Sequence, residues 1–592
     1  MEHSDHTCQS VKLPLEYRET ETQTKTDYRK TNVHVLTEQI RNLTLPTPVN
    51  ADDLIDQLER IRNTLPTKKI SDKPRLAKAV IDSRRNLNRA LRSKKIGKLE
   101  IKEMRLKYRQ SIRDHHNKAI DTILEESNDN DQSFELSKRG KTKKAIPPQL
   151  VDGITYRTHD EISYAMARHH GAGDTAEGED TSMEDWAIEP VLGHEIQAAI
   201  NKAPPNSTLG KDDISATLLK AYSKAYPGYL ESIYTKILRT GNHPDSWKQA
   251  VVVPIPKANK PRYDHPKSWR SLHHLSTVSK TLERVVLNRL QEYGDRNDTL
   301  GTTQFGSRRN TSTSDAFQIY KEWSEQARKE SAYTTCILTD IEGGFDKVKP
   351  ETLETTNIDH RYLRWIQDWV RNRRIRFRFN GQTGREEYVT NRGLPQGSPL
   401  SPYLFGAYVK DIVTEDFLQN VFIISYVDDL LICIKGKDQQ EVETNGRAAW
   451  QRVLERARDK GMDFAENKTK TFHRNDESNW KIGNKIREMH FLGYWDQTST
   501  NEPTNSMDKH VKHWLTKANF SYNLLRVITQ RTNGDQGLDM MSTKRLLHSV
   551  TRTIAWYGLE HFGHIDMRNK EVDSFLYETV KRLLDLPINT PH

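Results

Sequence analysis

The chain has 592 residues, 34% of them apolar and 29% charged, with 91 Lys or Arg against 81 Asp or Glu for a net charge of +10. A mean hydropathy of −0.83 and no run of about 18 apolar residues exclude an integral helical membrane protein, and the polar, acidic start MEHSDHTCQS is no signal peptide. Cys8, Cys336 and Cys433 are too few for a disulfide framework or a zinc cluster, so a reducing, intracellular setting in nucleus or cytoplasm is expected.

Residues 1–72 read as a polar N-terminal segment in which Leu54, Leu58 and Ile61 mark one amphipathic helix. Residues 73–150 read as a basic helical linker. Sixteen Lys or Arg and four Asp or Glu fall between Lys73 and Lys118, which leaves the rest of the chain nearly neutral. Such a local run points either to a polyanion partner, foremost nucleic acid, or to a solvated helical face. Leu76, Val80, Leu87 and Leu91 are spaced like one helix and Met104, Tyr108 and Ile112 like another, with Gly97 between them. ESNDNDQS (126–133) and KRGKTKK (138–144) read as exposed linker, the second being equally the composition of a nuclear signal. Residues 151–189 read as an acidic flexible linker around GAGDTAEGEDTSMED (171–185).

From residue 190 the texture is globular. Helical patterns occupy 192–202 and 215–240, and Val251 to Ile255 reads as a buried strand. Val278, Leu282, Val285, Val286 and Leu290 share one helix face. Cys336-Ile337-Leu338 is a short apolar run ending at Asp340, and after Trp495 the pattern is helical again. Strands mixed with helices, with carboxylates at strand ends, predict an α/β site on a palm-like sheet.

VFIISYVDDLLICI (421–434) is the most informative stretch. Apolar strands on both sides force a turn at Asp428-Asp429, giving a hairpin with two carboxylates at its tip. Buried carboxylates there are costly without counter-charge, which divalent cations supply. Asp340 is expected beside the hairpin. Two Mg²⁺ ions about 3.5–4 Å apart, bridged by such carboxylates, would stabilise the attacking and leaving oxygens of phosphoryl transfer. Taken alone an Asp-Asp pair is also an ordinary turn; the surrounding motifs decide.

CILTDIEGGFDKV (336–348), RGLPQGSPLSPYLF (392–405) and YVDDLLI (426–432), in that order, resemble reverse transcriptases. The finer texture resembles the polymerase of non-LTR (LINE-type) retrotransposons. WKQAVVVPIPK (247–257), SWRSLHHLSTVSKTLERVVLNRL (268–290), QFGSRRNTSTSDA (304–316), GMDFAENKTK (461–470) and FLGYW (491–495) all fall in that family's order. The resemblance implies an α/β right-hand polymerase with fingers, palm and thumb behind a helical basic extension. Residues 190–250 would be an N-terminal extension of the polymerase, 251–497 fingers and palm, and 498–592 a helical thumb.

The resemblance also implies roles. Asp340 and Asp428 would bind metal with Asp429 as neighbour, and the carbonyl of Ile341 would complete the shell of two Mg²⁺ ions, for which Mn²⁺ could substitute. Phe345 would lie under the sugar and exclude a 2′-hydroxyl; the bland alternative is a core phenylalanine. Gln396 and Gly397 would meet the nascent base pair, where glycine permits close approach. Lys257 and Arg270 would hold the triphosphate. Lys468, with Lys470 close by, would protonate pyrophosphate. Phe491, Leu492, Gly493 and Tyr494 would form the primer grip. The implied partners are an RNA template, a DNA primer and dNTPs, with no membrane.

The sequence departs from the family in several places. Ser271 follows the Arg of SWR where Pro is usual. Ser307 and Asn310 stand where Phe and Gly are commoner, and TLGKDDI (208–214) has Leu209 and Asp213 for Pro and Gly. Gly344 replaces the usual Ala. Ser4-Asp5-His6 resembles the last motif of an apurinic-type endonuclease. The expectation is therefore a polymerase core with linker, truncated at the endonuclease end, without nicking activity and without a ribonuclease H domain. The rival readings are a catalytically inactive nucleic-acid-binding retroelement remnant and an intron-type maturase.

Overall fold

The computed structural model describes residues 24–26, 32–69, 146–173, 187–203, 208–258, 260–380, 382–413, 420–465, 467–474, 480–497, 504–529, 547–562 and 570–583, with scattered positions between 82 and 111. Ser4-Asp5-His6, most of the basic segment, and the expected linkers at 126–133, 138–144 and 174–185 lie outside the described residues.

Strand β1 (Thr24–Thr26) pairs with β2 (Thr67–Lys69). Between them lie helices α1 (Val33–Arg41) and α2 (Ala51–Thr64). Asn50 caps α2, and Leu54, Leu58 and Ile61 form its buried face as the spacing predicts. This face does not belong to a separate segment. With Leu36 and Ile40 of α1 it enters the main core, where the Tyr222 hydroxyl donates to Gln57 Oε1 at 2.7 Å.

Hairpin β3 (Gln149–Val151) and β4 (Ile154–Tyr156) leads into α3 (His159–His169). Residues 149–169 were expected largely within an acidic flexible linker, and the structure corrects this. Thr158 and Glu161 form a capping box, and Ile162, Met166 and Ala167 are buried against Val252, Trp269 and Phe377. Helix α4 (Gly193–Asn201) follows. The helical pattern at 215–240 is two helices, α5 (Ala216–Ala225) and α6 (Tyr229–Thr240), because Pro227 cannot continue the first and Gly228 turns at φ +93°.

Two five-stranded sheets carry the rest. In the first, the path runs β10 (Tyr388–Thr390), β8 (Arg373–Phe379), β5 (Gln249–Pro256), β6 (Trp269–His274), with β9 (Gln382–Thr383) on β8. In the second, the path is β11 (Val421–Tyr426), β12 (Asp429–Gly436), β7 (Tyr333–Asp340), β13 (Lys470–His473), β14 (Asn484–Ile486). The continuous apolar runs of β7 and β12 follow from burial on both faces. Ile337, Leu430, Ile432 and Ile434 face one core together with α7 (Thr277–Asn297), α10 (Ser401–Val413) and α11 (Gln439–Asp459). Cys336, Leu338, Leu431 and Cys433 face another together with Phe317 and Tyr320 of α8 (Thr313–Lys329). Helix α9 (Leu363–Val370) adds Trp365 and Trp369 to the first core. Hairpin β15 (Glu488–Phe491) and β16 (Tyr494–Gln497) passes to the long α12 (Thr504–Thr529), which packs with α13 (Lys570–Leu583) through Val511, Ala518 and Val572. The result is mixed α/β, with one sheet where the fingers were expected, a second where the palm was expected and a helical unit where the thumb was expected, and these are called the finger sheet, the palm sheet and the thumb. No helix among the described residues is long and apolar enough to cross a membrane.

Candidate active site

The palm sheet sets the carboxylates by register. Asp340 ends β7 and lies opposite Asp429, which begins β12. Tyr426 pairs with Asp429, so Val427-Asp428 is the two-residue turn of the expected hairpin. Val427 sits at φ +58°, a strained conformation for a β-branched residue. Gln304 holds it there. The Val427 N–H donates to Gln304 Oε1 at 2.9 Å, and the Gln304 amide returns a bond to the Val427 carbonyl at 3.4 Å. Gly306 N–H donates to the same Oε1 at 2.9 Å, and a Cβ on Gly306 would stand 2.5 Å from the Val427 nitrogen. The Gln304-Phe305-Gly306 stretch thus buttresses the turn that carries Asp428.

Burial, then the neighbouring carboxylates, push Asp428 up to about 6 and Asp429 up to about 7. Lys468 ion-pairs with Asp340, whereas Lys470 lies in β13 opposite Leu338. Among the described residues, no three Asp, Glu, His or Cys side chains already converge as a metal cage. The donor chemistry nevertheless fits divalent cations. Asp340, Asp428 and Asp429, all hard oxygen donors, stand at one end of the sheet, with Lys468 ion-paired to Asp340. The Ile341 N–H donates to the Asp428 carbonyl at 3.2 Å, which ties the two acidic strand ends together.

A cleft of about 550 Å³ runs from Asp340, Asp429 and Lys468 to Leu492 and Gly493. Leu492 (φ +49°) and Gly493 (φ +91°) make the two-residue turn between β15 and β16. The thumb grips this turn: the Tyr557 hydroxyl donates to the Leu492 carbonyl at 2.9 Å and Trp514 Nε1–H to the Gly493 carbonyl at 3.1 Å. Phe491 is 4% exposed and Tyr494 is 1% exposed. Tyr494 stacks on Phe317 at 4.1 Å, so it supports the hairpin from within rather than facing the cleft.

Phe345 lies in the short helical turn Gly344–Lys347 and stacks on Phe405 at 4.8 Å. The loop of Gly393 to Ser398 runs between this turn and the finger sheet. Leu394 N–H donates to the Phe345 carbonyl at 2.7 Å, and His273 N–H to the Gln396 carbonyl at 2.7 Å. Gly397 (φ +133°) is required here, since a Cβ would meet the His273 carbonyl oxygen at 2.4 Å. Lys257 follows β5 and is half-buried; burial lowers its pKa, and Lys468 and Lys260 lower it further. Arg270, opposite Ile255 on β6, is exposed. The structure therefore gathers the carboxylates, Lys468 and the Leu492-Gly493 turn on one cleft, while Phe345 and Gln396 share an adjoining loop system with the fingers.

Residues 255–496 match the family "Reverse transcriptase (RNA-dependent DNA polymerase)", and the relatives of this part of the chain are polymerases of non-LTR retrotransposons. It is 28% identical over 253 residues to a probable RNA-directed DNA polymerase from transposon BS of Drosophila melanogaster, covering 41% of this chain and 28% of that protein. It is 26% identical over 262 residues to the RNA-directed DNA polymerase from mobile element jockey of Drosophila melanogaster, covering 42% of this chain and 28% of that one. The match thus spans about a quarter of these relatives' length. A solved apo telomerase from Candida tropicalis aligns with 81% of this chain and 96% of its own at 11% identity, with a TM-score of only 0.32.

Proposed function

We propose that the chain is an RNA-directed DNA polymerase that extends a primer 3′-hydroxyl with dNTPs by two-metal nucleotidyl transfer, copying an RNA template. The observation that carries this reading is the register that opposes Asp340 to Asp429, with Asp428 in the intervening turn, at the head of the cleft that ends on Leu492-Gly493. Asp340, Asp428, Asp429 and the Ile341 carbonyl would hold two Mg²⁺ ions, or Mn²⁺ in their place, which when bound neutralise charge at the attacking and leaving oxygens.

The chain's own residues supply the rest. The Leu492-Gly493 turn orients the primer strand, and its clamping by Trp514 and Tyr557 fixes where the 3′-hydroxyl lies. Lys257 and Arg270 bind the triphosphate, and Lys468, freed from Asp340, donates a proton to the departing pyrophosphate. Phe345, held against Phe405, occupies the space a 2′-hydroxyl would need. Gln396 and Gly397 present backbone to the nascent pair. The hybrid is gripped by shape and backbone rather than base edges. An intracellular site of action, nucleus or cytoplasm, accompanies this reading.

The test is primer extension on poly(rA)·oligo(dT) with Mg²⁺ and dTTP, using the Asp428→Ala, Asp429→Ala double variant as control. Extension by the wild type and none by the variant is the expected result. Folded protein that binds the hybrid and never extends it would make the inactive nucleic-acid-binding remnant the correct reading.

A further inference from the structure

The end of α3 enters the reverse transcriptase domain at a point no motif indicates. His170 follows the helix and is 8% exposed at its side chain. Its Nδ1–H donates to Asp346 Oδ2 at 2.9 Å, since a carboxylate can only accept. Its Nε2 hydrogen-bonds the Ser271 hydroxyl at 2.7 Å. Asp346 directly follows Phe345, and Ser271 directly follows Arg270. One imidazole therefore joins the residue after the sugar-facing phenylalanine to the residue after the finger arginine.

The histidine is itself rigidly held. Gly171 turns at φ +83°, Ala172 N–H bonds the Ala167 carbonyl at 2.9 Å, and Ala172 bridges Thr390 beside β10. Three residues on, Gly393 N–H bonds the Val348 carbonyl at 2.8 Å, returning the chain to the Phe345 turn. Burial alone would raise the Asp346 carboxyl, but the charge and hydrogen bond of His170, then His273 and His169, hold it below its usual value. The carboxylate is thus ionised and committed to His170. A buried imidazole needs a partner at each ring nitrogen. This one bridges two elements on either side of the proposed nucleotide position, and Ser271 replaces the proline usual after the finger arginine, so the bridge exists only because this chain carries a hydroxyl there.

We propose that His170 is a positioning residue for nucleotide selection, fixing the Phe345 turn against the finger strand that carries Arg270 through the Asp346–His170–Ser271 chain. The inference rests on the polymerase reading above and adds to it a residue outside every motif that supports that reading. Loss of the chain lets the turn and the strand move apart, and displacements of about 1 Å at such a site are enough to change rates strongly. The affected quantities are nucleotide affinity and sugar discrimination, not primer–template binding.

The experiment measures single-nucleotide incorporation of dTTP and UTP on poly(rA)·oligo(dT) by wild type, His170→Ala, Ser271→Ala and the double variant, with thermal melting alongside. His170→Ala is expected to raise KM for dTTP and the UTP/dTTP incorporation ratio on the order of tenfold, the scale of one lost charge-assisted hydrogen bond. Ser271→Ala is expected to move both in the same direction by less, and the double variant to match His170→Ala because both break one chain. Should His170→Ala fail to fold, Ser271→Ala alone decides. Unchanged KM and ratio in a variant that still extends overturn the role of His170 while leaving the polymerase reading intact. So does activity lost only in proportion to the folded fraction. A wild type that never extends overturns the polymerase reading, and the role of His170 with it.

Discussion

Asp213 and Asn310 replace glycines usual in such sequences, and both sit in the left-handed region, at φ +54° and +57°. Asp and Asn are the residue types that tolerate this conformation, so the backbone is kept. Gly344, where alanine is usual, is likewise explained: a Cβ there would meet the Phe405 ring at 2.6 Å. These departures are accommodated rather than disruptive, which weakens the reading of a decayed remnant. Asp213→Ala should destabilise the protein by about 1 kcal/mol and Asp213→Gly should not, measured by urea unfolding. The carboxylate pair makes a second prediction. With folded values of about 6 and 7 above an unfolded value of about 3.9, Asp428 and Asp429 bind more protons folded than unfolded across that interval. Their stabilising contribution is complete below about pH 4 and is lost as pH rises through 6 to 7. The melting temperature of metal-free protein should therefore carry a falling component between about pH 4 and 7, and Asp429→Asn, which cannot ionise, should flatten it in scanning calorimetry. A slope unchanged by that substitution would place the raised pKa elsewhere.

The β15–β16 hairpin shows how one element depends on another distant in sequence. Its turn has both residues at positive φ, and its two carbonyls are taken by Tyr557 and Trp514 of the thumb. Tyr557→Phe removes one donor with little change of volume. It should cost about 1 kcal/mol and, under the polymerase reading, shorten extension products while leaving single-nucleotide KM unaltered, read on a sequencing gel. Products of wild-type length would show that the clamp does not hold the grip. The elements differ in how far sequence exposes them. The palm hairpin is legible because uniform apolar runs bracket two aspartates, a local pattern. β8 carries an alternation of Ile375, Phe377 and Phe379 with Arg374, Arg376 and Arg378 that marks a half-buried strand. α3 announces itself by Thr158 and Glu161 three residues apart before an apolar face, a signal masked by the acidic stretch that follows. Gln304 could not be found this way, because its partner Val427 lies 123 residues away; nor could His170, 176 residues from Asp346.

At the scale of the molecule, the N-terminal helices α1 and α2 are part of the main core, so the basic segment 73–118 is an internal excursion rather than a tail. Its preceding end is held by Leu54, Leu58 and Ile61 in the core. Downstream, Ile146 is held by Asn380, which accepts from its N–H at 2.9 Å and donates to its carbonyl at 3.2 Å. The excess positive charge thus lies between two stretches anchored in the described structure, while the remaining chain is nearly neutral and offers little net attraction of its own. This distinguishes the two sequence readings of the run. If it meets nucleic acid, replacing six of its Lys and Arg by Gln should lower the slope of log K against log salt by about 5 for a duplex, from roughly 0.9 per phosphate neutralised. Fluorescence anisotropy of a labelled RNA–DNA hybrid between low and moderate salt gives that slope directly. A solvated helical face would leave the slope where it was and alter affinity only through net charge, an effect that vanishes beyond about one Debye length, near 10 Å at 0.1 M salt. If the segment acts only by holding the hybrid, the substituted protein should still incorporate dTTP at the wild-type kcat once the hybrid is saturating, so a fall in kcat would instead place these cations in the active site.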